Sequence, residues 1–278
     1  MQSRLAVVDF AEAAAAKARM GMQLQKVYCR LANVAKVFHR KGEAPVTAVE
    51  DVSFNLMQGE LVSLLGPSGC GKTTVMRILA GLTDASSGTV EICDRPVRGP
   101  QRDFGVVFQS PTLMPWRSVI ENILFPMEVL GRKDLVARSH AHELLRLVGL
   151  DGFADARPGQ LSGGMQQRVA LCRALIHQPA LLLMDEPFGA LDELTRMEMN
   201  DLLLEVRRVT KPAALFVTHS IAESIYLSDR VLVFSKRPAR IVLDIKVDFP
   251  YPRTAKLRYT EEFRRLEEAA GAALGITR

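Results

Sequence analysis

Residues 66–74 read GPSGCGKTT, three glycines within six positions followed by a lysine and two hydroxyls. Glycine is costly in a loop and a poor helix former, so a backbone kept this bare has another use. The pattern G-x-x-x-x-G-K-[ST], after an apolar run and before a helical one, is a phosphate-binding loop. The amides of Gly69, Cys70, Gly71 and Lys72 turn inward as an anion nest, and the helix start adds its positive end. Lys72 then reaches the β- and γ-phosphates of a nucleoside triphosphate, and Thr73 offers its hydroxyl to Mg²⁺. Gly66, Pro67, Ser68 and Thr74 complete the loop. Cys70, inside the nest, is expected to be a reactive thiolate that bound nucleotide protects from alkylation. Hydrolysis also needs carboxylates, and LLLMDEP ends an apolar run on Asp185 and Glu186. Asp185 is placed to hold Mg²⁺, directly or through water, and Glu186 to polarise the attacking water.

A second glycine-rich helix start lies in LSGGMQQRVALCRAL, residues 161–175. Ser162 caps the helix, while Gly163 and Gly164 leave its first amides uncovered. Two cradles in a chain that holds one triphosphate make sense if each nucleotide is clasped by two copies of the protein.

These groups need a scaffold that delivers them to one edge. Short, nearly continuous apolar runs at 61–65, 104–108, 180–185, 214–218 and 230–234 fit strands of a parallel sheet buried on both faces. Helical patterns occupy 72–80, 163–177 and 192–209. The segment KVYCRLANV opens a sheet-like pattern, and VTAVEDVSFNLMQGE alternates and closes on a turn, as an antiparallel hairpin does. The fold class is therefore α/β: a parallel-sheet core of P-loop NTPase type, an antiparallel β subdomain, and a helical subdomain inserted at about 110–175. Three domains are expected: an N-terminal extension at 1–25, the ATPase domain at 26–250 and a helical tail at 251–278. Residues 253–275 read as one amphipathic helix that packs on the sheet or meets a partner. The alanine-rich N-terminus is broken by Asp9, Glu12, Lys17 and Arg19, unlike a secretory signal, and Met20 and Met22 are alternative starts.

The 278 residues allow one sizeable core and a small lobe. The 36 basic and 31 acidic side chains leave a net charge of +5, spread along the chain, so nucleic acid is not indicated. Cys29, Cys70, Cys93 and Cys172 form no CxxC pair and read as reduced thiols. No apolar run approaches the ~18 residues of a membrane span.

In this order the motifs resemble an ATP-binding cassette (ABC) protein, the ATPase subunit of an ABC transporter, over about residues 26–240. In that family's terms GPSGCGKT is Walker A, LLLMDE is Walker B and LSGGM is the signature. The resemblance makes Gln109 in VVFQSPTLMPW the Q-loop residue, with catalytic and Mg²⁺ contacts. It makes Asp192, closing GALD, the D-loop aspartate at the nucleotide, and His219 in VTHS the switch histidine at the γ-phosphate. Phe38 in KVFHR matches the aromatic that stacks on adenine. Two positions depart from the pattern: Met165 where glutamine is commoner, and Gly189 where serine is commoner.

The resemblance implies ATP and Mg²⁺ as cofactors and a head-to-tail homodimer that closes on two ATP molecules. It also implies two integral-membrane permease subunits, a solute-binding protein outside the membrane, and a peripheral position on the cytoplasmic face of the inner membrane. Pro111, Leu113, Met114, Pro115 and Trp116 form an apolar patch that either docks the permease or packs the helical subdomain. TLMPWRSVIENI, FGALD and RPARIVLDIKV are similar to the nitrate, sulfonate and taurine importers, implying a small oxyanion or organosulfonate cargo. The alternative is a soluble, non-transport ABC ATPase of DNA repair or translation. That class needs a long coiled-coil insertion or a second cassette.

Overall fold

The computed structural model describes residues 26–276 except 40, 41, 43, 102 and 133. The expected extension at 1–25 lies outside the described residues. The described residues open with β1 (Val27–Phe38), β2 (Val46–Met57), β3 (Leu61–Leu65) and α1 (Lys72–Leu79). β4 (Ser87–Ile92), the two-residue β5 (Arg95–Pro96) and β6 (Phe104–Val107) follow. Three helices come next, α2 (Val119–Val129), α3 (Leu135–Leu147) and α4 (Gly163–Leu175). The chain then alternates through β7 (Leu181–Asp185), α5 (Glu193–Thr210), β8 (Ala213–Thr218), α6 (Ile221–Leu227) and β9 (Arg230–Phe234). It closes with β10 (Ile241–Lys246) and α7 (Glu261–Ala273).

Two sheets result. β2-β1-β4-β5 is antiparallel, and β10-β9-β3-β8-β7-β6 is parallel except for the edge strand β10. The expected hairpin at 46–60 is instead one strand: β2 spends its alternation on pairing with β1, from Val27 opposite Met57 to Phe38 opposite Val46. The turn at Gln58 and Gly59, with Gly59 at φ 74°, redirects the chain into β3 and the other sheet.

β3 and β8 are buried at every position, which explains their unbroken apolar runs. Alternate residues serve opposite faces. Val62 and Leu64 pack with α1 and the antiparallel sheet, and Leu61 and Leu65 with the helices from α2 onward. Capping chemistry punctuates the helical layer, with a full capping box between Ser118 and Glu121 at α2 and Asp134 accepting from Ala137 N at α3.

The single tail helix expected from 253 starts later. Residues Ala255–Tyr259 form a 3-10 turn, and Thr260 caps the α-helix that follows. α7 packs inward, Phe263 and Ala270 joining the main core, with Phe263 stacked on Phe249 at 6.1 Å. Among the described residues no helix is long and apolar enough to cross a membrane.

Candidate active site

β3, β8 and β7 are hydrogen-bonded neighbours running in parallel, so their carboxyl ends arrive side by side. Leu65 pairs with Thr218, and Asp185 with Val217. The phosphate loop, His219 and the Asp185–Glu186 pair therefore leave one edge of the sheet, where such folds present ligands.

In the loop, α1 begins at Gly71 with φ 134° and no side-chain cap, so its first amides have no side-chain partner. A Cβ on Gly71 would stand 2.6 Å from Ala48 O and 2.8 Å from Ala239 Cβ, so only glycine lets β2 and the loop approach this closely. Lys72 is almost fully buried, and its Nζ donates to Gly66 O at 2.7 Å and Pro67 O at 2.9 Å, folding the cation back over its own loop. Cys70 is buried as well, its Sγ 4.0 Å from Lys72 Nζ and packed toward Gly66. The expected reactive thiol is thus closed to reagents unless the loop opens.

Thr73 Oγ1 donates to Asp185 Oδ1 at 2.8 Å, bringing the two expected Mg²⁺ ligands together. Burial raises the Asp185 pKa and the neighbouring Glu186 adds to the rise, against the lowering bond from Thr73 and the charges of Arg77 and Lys72. A hydroxyl and a carboxylate are hard oxygen donors of the kind Mg²⁺ takes. Glu186 N donates to Val217 O at 2.9 Å, and Glu186 sits at φ 45°, a left-handed backbone that costs a non-glycine residue about 1–3 kcal/mol. That twist turns its carboxylate toward His219, whose Nδ1 lies 3.0 Å from Glu186 Oε2. A Cβ on Gly189 would stand 3.5 Å from Gln109 Nε2 and 3.6 Å from Glu186 Oε2, so Gln109 reaches the same place. The departure from serine at 189 leaves both groups in position.

Other expected residues stand further out. Phe38 is exposed at the end of β1 with Lys36 Nζ 5.2 Å from its ring centroid, in the sheet whose β2 touches Gly71 through Ala48. Asp192 caps α5, accepting from Thr195 N at 3.0 Å and Thr195 Oγ1 at 2.7 Å. Those two bonds hold its carboxyl below the usual aspartate range. Ser162 caps α4 through Met165 N at 3.3 Å, and Ser162 and Gly163 are exposed. Among the described residues, no hydrogen bond joins residues 162–164 to the phosphate loop.

Several supporting residues escaped the sequence reading. Gln167 Nε2 donates to Phe108 O at 2.9 Å, and Arg173 to Pro111 O at 2.7 Å and Thr112 O at 2.8 Å, so α4 braces the segment around Gln109. Buried Asn122 donates to Met114 O and Ser118 O and accepts from Met114 N, holding the patch around Trp116. Trp116 itself is 72% exposed, which removes the core-packing alternative for this side chain. Arg237 NH2 reaches Gly69 O at 2.7 Å from the β9–β10 turn. A brace from one side chain to a distant carbonyl leaves no local pattern in the sequence.

The family profile described as ABC transporter matches residues 49–189. An uncharacterized ABC transporter ATP-binding protein of Methanocaldococcus jannaschii is 45% identical over 228 residues, 82% of this chain and 85% of that one. The taurine import ATP-binding protein TauB of Rhizobium johnstonii is 48% identical over 237 residues, 84% of this chain and 90% of its own. Among solved structures, a dimeric ATP-binding cassette in a post-hydrolysis state with ADP and Pi has a TM-score of 0.70 at 31% identity, covering 80% of this chain and 100% of that one.

Proposed function

This chain belongs to the ABC transporter family as an ATP-binding, ATP-hydrolysing subunit, and from that premise we propose that it drives an importer for a small sulfonate or related oxyanion. Two copies close head to tail on two ATP molecules. Each nucleotide rests on residues 66–74 of one copy and meets Ser162, Gly163 and Gly164 of the other, with Phe38 against adenine and Asp192 at the copy-to-copy contact.

Lys72 leaves its loop carbonyls for the β- and γ-phosphates, exchanging two neutral acceptors for charged ones. Thr73, Asp185 and Gln109 would hold Mg²⁺, which would neutralise phosphate charge when bound. Glu186 polarises the attacking water and accepts its proton, oriented by His219, whose second nitrogen faces the γ-phosphate. Reopening after hydrolysis moves two permease subunits, seated against the exposed Pro115 and Trp116, on the cytoplasmic face of the membrane.

The observation that carries this reading is the contrast between Lys72, buried and satisfied by its own loop carbonyls, and Ser162 and Gly163, exposed at a helix start that bonds to nothing in the loop of its own chain. The cargo class rests on the similarity to TauB. Co-expression with its membrane subunits and binding protein, followed by reconstitution into vesicles, tests both parts. ATP hydrolysis stimulated by taurine or another sulfonate supports the reading; stimulation by an unrelated cargo overturns the cargo class, and a lack of any membrane partner overturns the importer.

A further inference from the structure

His219 is half exposed, yet the residues on either side of it are tied to a buried carboxyl that the mechanism above does not use. Glu223 is 6% exposed, in the first turn of α6, and its Oε2 accepts from Thr218 Oγ1 at 2.5 Å. Thr218 Oγ1 in turn accepts from Ser220 N at 3.0 Å, and Ser220 Oγ accepts from Glu223 N at 3.3 Å. Thr218 and Ser220 flank His219, so the Glu223 carboxyl fixes the Thr218 hydroxyl before the histidine, and that hydroxyl holds the Ser220 amide after it.

A plain capping box does not account for this arrangement. Glutamate three residues after a capping serine ordinarily bonds the serine's own amide. Here the Thr218 hydroxyl intercepts that amide, and the carboxyl lies beneath the histidine turn with Oε1 buried and unpartnered. A buried orphan oxygen costs free energy that a helix start alone does not require. Burial raises the Glu223 pKa, while the Thr218 bond, Arg196 of α5, His219 and Arg258 of the tail act in the lowering direction. Arg196 also donates to Leu191 O at 3.1 Å, one residue before Asp192.

We propose that Glu223 is a positioning residue for the reaction, holding His219 in line with Glu186 through its hydrogen bond to Thr218. This rests on the reading of His219 as a group that acts at the γ-phosphate. A histidine displaced by a fraction of an ångström would keep ATP binding, which the phosphate loop provides, and lose turnover. Geometry lost at the reacting atoms is paid in kcat rather than in KM.

The test compares purified E223A, E223Q, T218V and H219A by ATPase kinetics, thermal unfolding and NMR titration of the His219 ring. E223A and T218V are expected to lower kcat by ~10-fold or more, within the range of a small misplacement, with KM for ATP within about twofold. E223Q, whose amide still accepts from Thr218, restores kcat to within about threefold of the original chain. The His219 ring resonance shifts in E223A and T218V and returns in E223Q. If H219A has lost turnover while T218V keeps full kcat, the inference is wrong and the role of His219 stands. If H219A itself keeps full kcat, the reading beneath the inference fails. E223Q as slow as E223A would overturn positioning through the hydrogen bond. T218V, nearly the same shape as threonine, decides the matter should E223A fail to fold.

Discussion

Two glycine-rich helix starts, at 66–74 and at 162–164, answer differently to the question of what their glycines are for. Gly71 is demanded by the chain's own fold: its φ of 134° and the 2.6 Å approach of Ala48 O exclude a side chain. Gly163 is not, because a Cβ there would meet nothing nearer than Leu191 Cδ2 at 3.9 Å, and its backbone is ordinary helix. The first loop is built and closed within one chain, down to a lysine that bonds its own carbonyls. The second presents Ser162 and Gly163 to solvent and spends Gly163 on space that the chain itself leaves free, while Gly164 is buried, where a Cβ would stand 2.7 Å from Thr195 Cγ2. The space left free at Gly163 is what the proposed second copy carrying ATP would use.

The sharpest break in that comparison comes from the chemistry the first region serves. Glu186→Gln keeps size and hydrogen bonding but loses the charge that polarises water, and ATPase turnover is expected to fall ~10²–10⁴-fold while ATP binding survives. Lys72→Ala removes the buried cation, with an expected loss of at least ~10²-fold in turnover measured under saturating ATP. Near-normal rates in either variant contradict the assignment.

Glycine replacements then separate the two regions by stability. Gly71→Ala overpacks against Ala48 and Ala239 in a forbidden backbone region, with an expected cost of about 1–3 kcal/mol from overpacking alone, read by denaturant unfolding. Gly163→Asp meets open space, and its charge sits well at a helix start, so the isolated chain gains about 0.3–1 kcal/mol or is unchanged. A comparable stability loss at both sites removes the distinction. The smallest effect on the isolated subunit belongs to Trp116→Ala. At 72% exposure it is expected to leave melting temperature and basal ATPase unaltered. It weakens assembly with the permease by ~2 kcal/mol, the scale of an aromatic anchor. Unweakened assembly ends the docking role.

The parallel strands and the phosphate loop were legible because each is written locally: β3 and β8 are buried at every residue, and residues 66–74 carry their glycines in one run. β10 gave no such signal, since an edge strand in which Ile245 alone is buried lacks a continuous apolar run. The supposed hairpin at 46–60 failed because alternation reports a half-buried strand without naming its partner, and β1 upstream took that role. Within the site, Thr73 bonds Asp185 and His219 lies beside Glu186. The braces from Asn122, Gln167 and Arg173 could not be read, because each is one side chain bonding a distant carbonyl. The burial of Cys70 was missed for a related reason: the nest predicts charge around the sulfur, whereas packing against Gly66 decides access.

The split site is tested most directly by mass in solution. Glu186→Gln with ATP and Mg²⁺, analysed by light scattering after gel filtration, is expected to run as a dimer of the 30.7 kDa chain, and as a monomer with ADP. Adding Gly163→Asp to that variant places a carboxylate against the incoming phosphates and is expected to return it to a monomer that still binds ATP. A chain that stays monomeric with ATP, or a dimer that forms equally well with Asp at 163, would contradict a nucleotide shared between two copies.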